Sequence, residues 1–133
     1  MGIKERRERE KEQRKQEITD AAEKVFFSMG IEKATMQHVA DTAELSKGTL
    51  YLYFKSKEDL HYALNLRGMR VLREIMETHY NEEADGFDNV INMGRAYLEF
   101  YNSYPNYFES IIHFESSKLA TVSKENQRQI ISK

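Results

Sequence analysis

Residues Ala34 to Leu60 read ATMQHVADTAELSKGTLYLYFKSKEDL, and this stretch decides the fold. Thr35 is placed to cap a short helix whose inner face is Met36, Val39, Ala40 and Ala43. A tight break follows at Glu44–Leu45. Ser46 then caps another short helix, with Leu50 and Phe54 facing inward at i, i+4 and Lys55 at its end. Ser56 opens a further helix, and Asp59 at its third position completes a capping-box pattern.

Upstream, Ile18, Ala22, Val25, Phe26 and Met29 recur at helical spacing and form one apolar face. Gly30 is placed to stop that helix in the left-handed conformation. Lys4 to Glu17 is almost wholly charged or Gln, with opposite charges at i, i+4 such as Glu5 with Arg9 and Glu10 with Arg14. Residues 1–17 are therefore a charged arm or a solvated helix extension.

Downstream, Leu60, Leu64, Val71, Leu72, Ile75 and Met76 carry a long helix to about Tyr80. Asn81 to Gly86 is an acidic turn. A fifth helix is expected from about Phe87 to Asn102, with Phe87, Val90, Ile91, Gly94, Tyr97, Leu98 and Tyr101 on its inner side. Pro105 suits the first position of a sixth, with Phe108, Ile111 and Ile112 facing in. Ser123 is placed to cap one more, from Lys124 to Lys133. A single proline in 133 residues and few β-branched runs make the fold class all-α.

Composition narrows the function classes. There is no cysteine, so disulfides, thiolate chemistry and Cys-based zinc sites are excluded. No apolar run approaches the ~20 residues a membrane span needs. The charged N-terminus is unlike a secretory signal. A soluble, cytoplasmic protein with no membrane partner is the expectation. The net charge is −2, but it is uneven: 12 Lys/Arg against 10 Asp/Glu up to Lys57, then 8 against 12. A mildly basic front and an acidic back suggest two tasks on one chain.

Three short helices with a tight break before the third form a helix-turn-helix pattern. Such a third helix enters a DNA major groove when its inner face is anchored and its outer face carries donors and flat polar tips. Leu50 and Phe54 are the anchors, and Lys47, Gly48, Thr49, Tyr51 and Tyr53 are the outward positions. Gly48 lets a sugar-phosphate strand come close, Lys47 supplies charge, and Thr49 can bond a base or touch a thymine methyl. The hydroxyls of Tyr51 and Tyr53 can reach phosphate. Thr35 and Lys57 stand at helix starts, where backbone N–H groups also attract phosphate. Lys47, Tyr51 and Tyr53 are equally readable as ordinary surface of a helical bundle.

The same stretch, above all SKGTLYLYFKSKEDL from Ser46 to Leu60, strongly resembles the DNA-binding domain of the tetracycline-repressor (TetR) family. The preceding IEKA and the helix ending VFFSMG fit the same pattern, and the resemblance covers about Ile18 to Leu64. It implies a homeodomain-like helix-turn-helix over 18–56 and a helical ligand-binding and dimerisation domain over 57–133. It implies phosphate contacts at Thr35 and Lys57, a groove-facing run at Ser46, Lys47, Gly48 and Thr49, and backbone or base contacts at Tyr51 and Tyr53. The partners it implies are double-stranded DNA with a palindromic operator, an unidentified small-molecule inducer and a second copy of the chain. Family members usually continue into two long helices that form the dimer interface. No such pair is legible here, so the second domain reads as incomplete or the dimer as built differently.

The best candidate for a ligand cavity is the aromatic stripe from Tyr97 through Tyr101, Tyr104 and Phe108. Plain packing of the fifth and sixth helices is the competing reading. The four histidines, His38, His61, His79 and His113, are scattered, and the carboxylates from Glu82 to Asp88 form a solvated acidic loop. No nucleophile–base pair, glycine-rich phosphate loop, metal-ligand set or cofactor motif emerges, so an enzyme is not expected. The leading reading is a repressor released from DNA by a ligand. The alternatives are an activator or dual regulator of the same fold, or a helical binding module without DNA binding.

Overall fold

In the computed structural model, residues 2–114 are described, and every regular element among them is a helix. The elements are α1 (Ile3–Met29), α2 (Met36–Thr42), α3 (Lys47–Tyr53), α4 (Lys57–His79) and α5 (Gly86–Ser103), followed by helix over 105–114, here α6. The helix expected over Lys124–Lys133 lies outside the described residues. The chain divides into two compact units, Met1–Leu64 and Asn65–Lys133. The boundary lies inside α4 and not at residue 56, because Leu60 and Leu64 are fully buried with the first core.

The first unit is built around Ile18, Ala22, Val25 and Phe26 of α1, Met36, Val39 and Ala40 of α2, and Leu50 of α3. Each completely buried Leu or Ile contributes about 1.5–3 kcal/mol, so the short helices are held by packing rather than by their own propensity. Local chemistry sets their ends. Thr35 Oγ1 accepts from the His38 N–H at 3.1 Å while the Thr35 N–H donates to His38 Nδ1 at 3.2 Å, a reciprocal cap. Ser46 Oγ accepts from the Thr49 N–H at 3.1 Å, and Ser56 Oγ from the Asp59 N–H at 3.1 Å. Gly30 ends α1 as expected, but at φ 83° and ψ 150°. Its ψ is extended rather than left-handed helical, in a region open essentially to glycine alone. Met29, expected in the core, is exposed one turn beyond it.

α1 is one unbroken helix of 27 residues. Its first half is exposed and carries pairs such as Arg6 with Glu10, 3.2 Å apart. These solvated i, i+4 pairs are worth a few tenths of a kcal/mol each.

The break between α2 and α3 turns on Glu44, whose φ is 58°. With Glu44 left-handed, the Leu45 N–H reaches back to the Ala40 carbonyl at 2.9 Å and the Ala43 N–H to Val39 at 2.9 Å. The carbonyls at the end of α2 are thereby satisfied without a glycine.

The second unit departs from the sequence expectation in two places. On α5, the face expected to be inward is outward: Phe87 (74% exposed), Val90, Ile91, Tyr97, Leu98 and Tyr101 all face solvent. The buried residues are Ala96 and Phe100 on the opposite side. α5 is apolar on two faces, and periodicity alone does not say which one is covered. On α6, Tyr107 is buried while Ile112 is exposed. The cause is Gly68 of α4, where a Cβ would come within 2.9 Å of the Tyr107 ring and 3.3 Å of Ile111. That notch seats Tyr107 and Ile111, one turn apart, and rotates Ile112 away. Ser110 Oγ donates to the buried Asn65 Oδ1 at 2.9 Å across the same contact. The acidic turn is clipped to α5 by Asn89, whose amide bonds both the N–H (3.1 Å) and the carbonyl (2.8 Å) of Asn81. His79 pairs with Glu99 beside it.

Placing a β-branched residue at the left-handed position should be costly. Glu44→Val is expected to lower stability by about 1–2 kcal/mol, whereas Glu44→Gly should leave it level or higher. Urea denaturation of both variants checks this.

Candidate nucleic-acid interface

α3 is seven residues long, so its outward surface is fixed by which residue is held inside. Leu50 is completely buried. At 100° per residue, Gly48 and Leu52 then fall on the line opposite it, with Thr49 and Tyr51 on the flanks. The structure agrees: Leu52 is 81% exposed and Tyr51 41% exposed, and Lys47 and Gly48 are exposed. Around Gly48 the space is open, and a Cβ there would meet only Ser46 Oγ at 4.0 Å. The helix therefore offers a low, side-chain-free step beside Lys47, with one apolar knob and one phenol next to it.

Each residue expected at this surface has a definite place. Thr35 and Ser46 are exposed, with their oxygens accepting the cap bonds and a proton still available to donate. Ser46 Oγ and Thr49 Oγ1 are 2.9 Å apart and share one hydrogen bond, so the pair presents one free hydroxyl proton outward. Lys57 is half-buried, and its ammonium donates to the Glu32 carbonyl at 3.3 Å, which ties the start of α4 to the turn after α1. Two further protons on that nitrogen remain for another acceptor.

Tyr53 is placed otherwise than expected. It is half-buried and packed against the core at the C-terminal end of α3. Phe54 is half-buried beside it. Leu52 takes the outward position that the sequence reading gave to Tyr53. Its signal was present: no residue at i±3 or i±4 from Leu52 is apolar, so it has no apolar stripe to join.

The residues proposed from sequence for a ligand cavity separate in the structure. Tyr97 lines a cavity of about 760 Å³ with Met69, Leu72, Met76, Tyr80 and Met93, and Arg73 and Glu77 at its polar side. Tyr101 and Phe108 instead pack edge to face at 5.0 Å, and Tyr104 stacks on Phe100 at 6.1 Å. Three methionines, Met69, Met76 and Met93, share the lining. Among the described residues no group of three His, Asp or Glu side chains is placed to hold a metal. No described helix is long and apolar enough to cross a membrane.

Comparison with known proteins bears on this geometry. Residues 18–64 match the family described as bacterial regulatory proteins, tetR family. An HTH-type transcriptional regulator of Staphylococcus aureus is 29% identical over 86 residues, covering 65% of this chain and 44% of the relative. Two similar solved structures are a TetR-like transcriptional regulator from Rhodococcus sp. RHA1 and the TetR family transcriptional regulator PfmR from Thermus thermophilus. The first has a TM-score of 0.66 and 24% identity, and covers 86% of this chain and 64% of that one. The second has a TM-score of 0.58 and 27% identity, and covers 71% and 51%. The chain thus spans less than half the length of the curated relatives it matches.

If the caps and not the outer tips hold α3 in place, stability separates the two. Ser46→Ala should cost about 1 kcal/mol. Lys47→Ala and Leu52→Ala should stay within about 0.5 kcal/mol of the parent, as read by thermal and urea unfolding.

Proposed function

We propose, for a chain that belongs to the tetR family of DNA-binding transcriptional regulators, that it is a repressor released from a palindromic operator by a small molecule. The observation that carries the DNA part is the surface of α3. Leu50 is fully buried while Lys47, Gly48, Tyr51 and Leu52 stand outward on one short rod.

In this reading α3 lies in the major groove. The open step at Gly48 lets a backbone strand approach, and Lys47 neutralises phosphate. Leu52 reaches a thymine methyl and Thr49 a base edge. Tyr51, Thr35 and Lys57 hold phosphates and fix register without reading sequence. A dimer would present two such helices to half-sites about one helical turn or a little more apart. It would act in the cytoplasm, where bacterial DNA is.

The cavity of the second unit supplies the ligand part. Its Met, Leu and Tyr lining suits an apolar or flat molecule, with Arg73 and Glu77 able to orient one polar group. Methionine adapts its shape to a ligand more readily than branched side chains do. Leu72, Arg73 and Met76 of that lining belong to α4, whose first residues belong to the DNA-binding unit. A ligand that prefers one setting of α4 by ~1–3 kcal/mol would change operator affinity by about 5- to 150-fold.

The test begins with selection of bound duplexes from a random pool, followed by gel shifts on the selected site. Lys47→Ala with Tyr51→Ala should abolish the shift while leaving helicity intact. Gly48→Val should also abolish it, through the blocked approach alone. Affinity should fall steeply with salt, and Lys47→Ala should reduce the log–log slope by about 0.9 per chain. A flat salt response, or full binding by the double variant, contradicts the reading.

A further inference from the structure

The exposed first half of α1 mixes its charges along the chain but sorts them around the helix. α1 runs unbroken from Ile3 to Met29, so the phase of its first half is set by the buried residues of its second. At about 100° per residue, Lys4, Arg7, Lys11, Arg14 and Lys15 all fall within about 60° of the direction of Ile18. Glu5, Glu8, Glu10, Glu12 and Glu17 all lie about 80° or more away. Five cations thus form one stripe, with the carboxylates to either side and behind. The stripe continues the line of Ile18, Ala22 and Val25, which is buried in the core that α1 shares with α2 and α3. Lys4, Arg7, Lys11 and Arg14 are exposed, and Lys15 is half-buried.

Two features set this stripe apart from a face that is merely solvated. The first is its cost. Lys4 with Arg7, Arg7 with Lys11, and Lys11 with Lys15 stand three or four residues apart, where like charges repel and destabilise a helix. No apolar burial offsets this, since the buried residues of α1 begin at Ile18. The second is pairing. The ion pairs of this half are Arg6 with Glu10 at 3.2 Å and Arg14 with Glu17 at 4.0 Å. Among the described residues Lys4, Arg7, Lys11 and Lys15 have no carboxylate partner, so their charge remains for an outside anion.

We propose that the stripe binds the phosphate backbone of duplex DNA beyond the groove segment that α3 enters. From Lys4 to Lys15 it runs ~17 Å, a length over which a duplex carries about ten phosphates. A regular row of anions suits a stiff row of cations, because the helix has already ordered them and little freedom is lost on contact. The stripe and α3 belong to one compact unit, and the stripe is turned to the side of α1 on which that unit's core lies. Phosphates carry no sequence information, so this surface adds affinity and leaves selectivity to α3.

The inference rests on the DNA-binding reading above, and the test keeps the two apart. Gel shifts of the full chain compare Arg7→Gln with Lys11→Gln, on the stripe, against Arg6→Gln with Arg9→Gln, off it. Each pair removes the same charge, and glutamine keeps the helix propensity, which circular dichroism checks. The stripe pair should weaken binding about tenfold or more and lower the log–log salt slope by about 1.8 per chain. That loss should be the same on the selected site and on an unrelated duplex of equal length. The off-stripe pair should stay within about twofold of the parent. Equal or larger losses from the off-stripe pair mean general charge attraction and overturn the stripe, as does a loss confined to the selected site. Parent-like binding by the stripe pair, with Lys47→Ala and Tyr51→Ala still abolishing the shift, overturns the stripe and leaves the DNA-binding reading standing. A chain that selects no duplex overturns both.

Discussion

The burial of Leu50 is the constraint on which the rest of the first unit depends. α3 is too short to form alone, so its place is set by one completely buried leucine and the packing of α1 and α2 around it. Once Leu50 is inside, helical geometry decides which residues lie opposite it. Gly48 and Leu52 must face away, while Tyr53 packs against the core. The left-handed residue at Glu44 completes the constraint by fixing how α3 leaves α2. What this surface presents is thus a consequence of packing on the other side of the same rod.

Much of this was legible in the residues. The capping oxygens of Thr35, Ser46 and Ser56 mark three helix starts, and each bonds the backbone as its chemistry requires. The inner residues of α2 follow from spacing. These features are local, and local chemistry is what a sequence states most directly. Tyr53 reads as outward from sequence because a polar aromatic suggests a surface. At the C-terminal end of α3, packing against the core outweighs that preference. His38 as the second half of the α2 cap was not legible, because a histidine is an unusual partner in a motif that ordinarily uses Glu or Gln.

The second unit was less legible for a different reason. Periodicity in α5 reports an apolar face truly, but α5 has two, and the covered one is marked by only Ala96 and Phe100. The seat for Tyr107 depends on Gly68, far upstream in the chain, and no local pattern announces a notch. No single stretch announces the cavity, because its wall combines Met69, Leu72, Met76 and charged residues of α4 with Met93 and Tyr97 of α5, while Phe100 packs with Tyr104 and Tyr101 with Phe108. Non-local packing decides each of these.

The central claim is that the outward line of α3 meets DNA. It is tested most directly by following the backbone amide signals of the isotope-labelled protein as a selected duplex is added. The largest changes are expected from Lys47 to Leu52, with smaller ones at Thr35 and Lys57. Saturating binding that leaves the α3 amides unchanged and moves only signals of the second unit would contradict it.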